Sequence, residues 1–183
     1  MMLELAAHIL DIAENSVRAG ATTVEIIINE DATSDLLSIE INDDGSGMTK
    51  EEIKKAGDPF YTTKKVRRVG LGIPLLTNAA QMAGGNLTLK SAKGKGTKLK
   101  ATFQLGHLDR QPMGNITTTI ISLIAGNSDV DFIYKHRHND RRFTLDTREI
   151  RKEIDDVPIN HPEVIKYIRG VIEEGLGKIK PAA

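Results

Sequence analysis

The chain has 183 residues, 39% hydrophobic and 27% charged, a balance that supports one domain with a sizeable extension and a buried core. Lys and Arg total 25 and so do Asp and Glu, so no net charge draws the chain to nucleic acid or an anionic membrane. Zero Cys excludes disulfides, thiolate metal sites and thiol catalysis. Aromatic residues are 4% with no Trp, so the core must be largely Ile, Leu, Val and Ala. Apolar runs such as residues 116–125 contain Thr and Ser and are too short to span a bilayer. The N-terminus lacks a basic segment followed by an apolar one, and a cytoplasmic location is the expectation.

Leu3, Leu5, Ile9, Leu10, Ile12, Ala13 and Val17 recur at helical spacing up to Gly20. Residues 22–29 and 36–42 read as strands joined by a polar turn over 30–35, a hairpin. Thr49 and Glu52 form a capping-box pattern that opens a short helix. A basic loop over 61–70 leads into a predicted helix over 71–83, stopped by Gly84-Gly85. Strands over 86–92 and 97–105 flank a Gly-rich turn. The sum is a sheet covered on one face by helices, an α/β two-layer sandwich. Beyond Gly106 the spacing predicts a helix over 115–125, a hairpin of 130–136 with 142–146, and helices over 147–154 and 162–176. This tail carries no motif tied to chemistry. His136 and His138 share one strand face and are expected to be exposed.

Asp11 and Asn15 lie four apart on the first helix and so share a face, with His8 one turn earlier. A carboxylate and an amide oxygen in one cleft suit Mg²⁺, a hard cation that prefers oxygen ligands. Glu14 points about 100° away around the helix. Asp43 ends an apolar strand and precedes Gly45 and Gly47; a half-buried carboxylate there can read an N–H donor. Gly70-Leu71-Gly72 opens a helix whose free N–H groups favour phosphate. Lys64, Lys65, Arg67 and Arg68 precede it and can neutralise phosphates or an acidic partner.

The ordered set Asp11-Ile-Ala-Glu-Asn15, Asp43-Asp-Gly-Ser-Gly-Met48, Asp58-Pro-Phe-Tyr-Thr-Thr-Lys64, Gly70-Leu-Gly-Ile73 and Gly94-Lys-Gly-Thr97 resembles the GHKL superfamily of ATP-binding domains. That superfamily includes DNA gyrase, MutL, sensor histidine kinases and anti-sigma-factor kinases. The resemblance covers roughly residues 3 to 105 and implies a Bergerat-type ATP-binding fold. It divides the chain into an ATP-binding domain over 1–106 and a small mixed α/β extension over 107–183, a docking region for a partner.

By the same resemblance, Asn15 binds Mg²⁺ and Asp11 positions or activates water, as metal neighbour and catalytic residue. Gyrase- and MutL-type ATPases carry Glu at the latter position. Arg18 matches a phosphate-contacting Lys of histidine kinases. Asp43 accepts the adenine amino hydrogen, with Gly45, Gly47 and Met48 around the ring and Thr97 near it. Tyr61, Thr62, Thr63 and Lys64 belong to the ATP lid, and Gly70, Leu71 and Gly72 to the phosphate-binding helix start. The lid is short, as in histidine kinases.

Three functions follow as expectations: an ATP-dependent protein kinase acting on a separate protein, a nucleotide-gated binding module or slow ATPase without phosphotransfer, and a clamp ATPase. The last is disfavoured because no transducer segment of adequate length follows. ATP or ADP with Mg²⁺ is the expected ligand, and a protein substrate or a second copy in a homodimer the expected partner. Nucleic acid and membrane are not expected as partners.

Overall fold

A computed structural model describes residues 2–57 and 71–180. The elements run α1 (Leu5–Arg18), β1 (Thr23–Asp31), β2 (Leu36–Asp43), α2 (Lys50–Ala56), α3 (Gly72–Met82), β3 (Leu87–Ser91) and β4 (Thr97–Gln104). They continue with α4 (Ile116–Gly126), β5 (Asp131–His138), β6 (Arg141–Asp146), α5 (Thr147–Ile154) and α6 (Pro162–Ile179). The strands form one six-stranded sheet in the order β3-β4-β2-β1-β5-β6. β1 and β5 pair in parallel, and every other neighbouring pair is antiparallel.

Period-two alternation decides which sheet face is buried. Val24, Ile26 and Ile28 of β1, Leu37, Ile39 and Ile41 of β2, Leu99, Ala101 and Phe103 of β4, and Phe132 and Tyr134 of β5 form one apolar surface. The helical layer covers it. Helix α1 presents Leu5, Ile9, Ile12, Ala13 and Ser16, an i, i+4, i+7, i+8, i+11 stripe that lies on one side of a 3.6-residue helix.

The segment beyond Gly106 belongs to the same architecture: β5 and β6 continue the sheet past β1, and α4 packs beside α1 and α6. The loop between β4 and α4 also serves α1, whose N-cap Glu4 makes no side-chain cap. Leu5 N–H donates to Pro112 O at 2.9 Å and Ala6 N–H to Met113 O at 2.8 Å, satisfying two donors that a helix start leaves free. No helix among the described residues is long and apolar enough to cross a membrane.

His136 corrects one expectation. It is buried, because it continues the inward stripe Phe132, Tyr134, His136. Its Nε2 meets Glu30 Oε1 at 2.6 Å and its Nδ1 meets the Tyr134 hydroxyl at 2.6 Å. His138 lies half-buried on the same face, 3.7 Å from Glu30 Oε2. Lys180 Nζ approaches Glu30 at 3.4 Å, which fastens the end of α6 to the sheet.

Candidate nucleotide-binding site

The inward stripe of β2 runs Leu37, Ile39, Ile41 and then Asp43, so the alternation that builds the core delivers a carboxylate to its end. The buried stripe of α1 ends above it on Ser16. The two stripes meet through the Ser16 hydroxyl, which donates to Asp43 Oδ2 at 2.6 Å. The other oxygen, Oδ1, accepts from Gly45 N–H at 2.9 Å and from Thr97 N–H at 3.2 Å. A carboxylate offers about four lone-pair positions, so these three donors leave capacity for one more.

Around this carboxylate lies a cleft of about 490 Å³, lined by α1, the end of β2, α2, the start of α3 and β4. That size is ordinary for a small-molecule site. Asp11, Asn15, Arg18, Asp43, Gly47, Met48, Leu71, Gly72 and Thr97 all line it, so the structure brings together motifs far apart in sequence. Gly45 lies behind Asp43 and serves it through its N–H. Tyr61, Thr62, Thr63, Lys64 and Gly70 lie outside the described residues. Glu14 is not among the lining residues and sits 3.7 Å from Arg18 Nη1.

Asp44, beside the adenine candidate, is a structural residue. Its carboxylate accepts from Thr22 N–H at 2.8 Å and Thr23 N–H at 2.9 Å, and from the Thr22 hydroxyl. Burial opposes its ionisation, but the bonds from Thr22 and Thr23 outweigh that and hold the carboxyl below the usual range. The Thr97 hydroxyl meets Ser91 Oγ at 2.9 Å, and Ser91 Oγ also accepts from Met48 N–H at 2.8 Å. Ser16 and Ser91 are the residues that sequence reading missed. Ser16 was findable as the last position of the apolar stripe.

Two glycines of the motifs serve close backbone approach. Gly47 (φ +65°) and Gly96 (φ +77°) both adopt the left-handed region. A Cβ on Gly47 would collide with the Ala92 carbonyl, and one on Gly96 with the Asp43 carbonyl. Gly96→Ala is therefore expected to cost more than about 1 kcal/mol, from φ and collision together. Urea unfolding checks this; wild-type stability in the variant would show that the turn relaxes freely.

Asp11 and Asn15 supply hard oxygen donors on one helix face, a set that fits Mg²⁺ with retained waters. Asp11 packs against the start of α3, where a Cβ on Gly72 would collide with its Oδ2. Glycine at that position leaves the carboxylate its place without a shift of the Asp11 side chain. Asn15 Oδ1 accepts from Arg18 Nη2 at 2.6 Å. His8 does not line the cleft; burial lowers its pKa, and its Nε2 lies 3.0 Å from Gln111 Oε1.

Comparison with known proteins shows the family of the segment that builds this cleft. A family model described as "Histidine kinase-, DNA gyrase B-, and HSP90-like ATPase" matches residues 3–107. The sensor histidine kinase WalK of Bacillus subtilis (strain 168) is 34% identical over 101 residues, covering 52% of this chain and 16% of WalK. The sensor protein DegM of Bacillus sp. (strain B21-2) is 33% identical over 91 residues, covering 50% of this chain and 24% of DegM. The chain thus spans about a quarter or less of the length of these relatives. Among solved structures, the N-terminal domain of a DNA repair protein superposes with a TM-score of 0.57 at 16% identity, covering 79% of this chain and 52% of that one. That is a likeness of fold.

Proposed function

This chain belongs to the histidine kinase-, DNA gyrase B- and HSP90-like ATPase family, and from that premise we propose that it binds Mg-ATP in the cleft and acts as a regulatory protein kinase on a separate partner. The observation that carries the nucleotide reading is Asp43, held by Ser16, Gly45 and Thr97 with room for one further donor. Adenine presents an amino N–H at the matching edge; guanine presents a carbonyl, which a carboxylate repels. Asp43 therefore selects adenine.

Leu71 and Gly72 line the cleft at the N-terminus of α3, where helix N–H groups would attract the phosphates of a bound nucleotide. Asn15 and Asp11 would hold Mg²⁺, which neutralises phosphate charge when bound. Arg18 would supply a cation beside them. Tyr61, Thr62, Thr63, Lys64 and Gly70 are assigned to the nucleotide as well, by the motif they share with the family.

Arg18 Nη2 already donates to Asn15 Oδ1, so that oxygen would be free for a metal only where phosphates drew the guanidinium away. Arg18→Met is expected to weaken Mg-ADP binding by about tenfold, the scale of one charge-assisted bond. It should also raise the affinity for Mn²⁺ added alone. Calorimetry reads the first and Mn²⁺ electron paramagnetic resonance the second; unchanged values in both would remove Arg18 from the site.

The second reading is a nucleotide-gated binding module or slow ATPase without phosphotransfer. It is favoured by Asp11, whose short side chain is packed against Gly72. Incubation of the full chain with γ-labelled Mg-ATP and cell extract separates the two. Label on an added protein supports the kinase; free phosphate alone, or binding with neither, supports the second reading.

A further inference from the structure

Met2, three residues before α1, lines the cleft although no nucleotide motif reaches it. What holds it there comes from the loop between β4 and α4. Gln111 Nε2 donates to the Met2 carbonyl at 3.0 Å, and Gln111 Oε1 lies 3.0 Å from His8 Nε2. A carbonyl only accepts, so the amide turns its NH₂ to Met2 and its oxygen to His8. His8 Nε2 therefore carries the proton and donates, while Nδ1 keeps a buried lone pair without a partner among the described residues. Each group fixes the next, and the Gln111 side chain has one orientation.

The loop itself is tied down. Arg110 Nε donates to Leu105 O at 2.6 Å and Arg110 Nη1 to Gln111 O at 3.1 Å. Pro112 and Met113 accept from Leu5 N–H and Ala6 N–H, so three successive loop residues hold positions 2, 5 and 6. Met2 and Gln111 both lie outside residues 3–107, so the family pattern does not account for their contact. Order along α1 gives Met2 its task. Ser16 meets Asp43 at the base end, and Asp11 stands about 8 Å nearer the helix start at 1.5 Å per residue. Met2 precedes the helix and so lies on the far side of Asp11 from the base.

On the reading that Mg-ATP occupies the cleft, we propose that Gln111 is a positioning residue that holds Met2 as an apolar wall at the terminal-phosphate end and keeps water from that phosphate. Hydrolysis needs a water in line with the bond between the terminal phosphorus and its bridging oxygen. The water oxygen bonds to phosphorus, the bridge breaks with its electron pair to ADP, and the water proton passes to the Asp11 carboxylate or to solvent. An apolar wall offers that water no hydrogen bond, so the terminal phosphate persists until an acceptor other than water arrives.

The test is phosphate release from Mg-ATP by the full chain, with Mg-ADP affinity measured by calorimetry in the same preparations. Gln111→Leu keeps the bulk of the side chain and removes both hydrogen bonds; Met2→Ala leaves them and removes the wall. Each is expected to raise phosphate release by about fivefold or more, the scale of one lost hydrogen bond, at unchanged Mg-ADP affinity. Met2→Ala alone carries the test if Gln111→Leu does not fold. A merely structural role would lower affinity and release together. That result, or unchanged release in both variants, overturns the proposal and leaves the nucleotide site standing. No binding of Mg-ADP by the wild type overturns the nucleotide reading and this proposal with it.

Discussion

Asp43→Asn is expected to weaken Mg-ADP binding by about a hundredfold, the scale of one lost hydrogen bond to a charged group plus an unpaired donor. The amide retains one oxygen, which takes the place of Oδ1 and accepts from the N–H groups of Gly45 and Thr97. Its NH₂ then takes the place of Oδ2, where Ser16 can turn its hydroxyl to accept. The cleft would gain an N–H donor facing the adenine amino group, itself a donor. Adenine selectivity should vanish along with affinity, because the group that repels the guanine carbonyl is gone. Competition by ADP and GDP checks both; a variant that still prefers ADP would remove Asp43 from base recognition.

The largest effect on stability is expected away from the cleft, at Glu30. Burial alone would raise its pKa, but the hydrogen bond with His136 and the charges of Lys180, His136 and His138 bring it down to about 2. Glu30→Ala leaves His136 Nε2, whose Nδ1 holds the Tyr134 hydroxyl, without its buried acceptor, an effect of about 3 kcal/mol or more. The pH dependence has a fixed sign. A carboxyl whose folded pKa lies below its ordinary 4.5 stabilises the fold fully above that value. The contribution is lost as pH falls from about 4.5 through about 2. Urea unfolding of both proteins from pH 7 to pH 3 should therefore show a gap that narrows only below about pH 4.5. A pH-independent gap, or one under about 1 kcal/mol, would contradict the account of the cluster.

Much of this was written in local patterns. Alternation in residues 23–28 and 37–41 specifies the inward face of the hairpin, and its continuation puts Asp43 at the end of the core. The Thr49 and Glu52 capping box forms as expected, with Thr49 N–H donating to Glu52 Oε2 at 2.7 Å. The bond from Ser16 to Asp43 was harder to read, since it joins residues 27 apart and depends on how α1 lies over β2. The parallel pairing of β5 with β1 links segments more than a hundred residues apart, which no local period encodes. His136 was misjudged although its stripe was legible, because residue type outweighed position: a histidine between Lys135 and Arg137 looks exposed until Phe132 and Tyr134 fix the phase.

We propose that this cleft reads adenine through Asp43 and holds the phosphates beside Asn15 and α3. Calorimetric titration of the full chain with Mg-ADP, Mg-ATP and Mg-GTP tests it most directly. Saturable binding of both adenine nucleotides is expected, with GTP weaker by at least about a hundredfold, the scale of losing a buried polar match. Equal affinity for GTP would contradict the role of Asp43, and no binding of any of the three would contradict the nucleotide site itself.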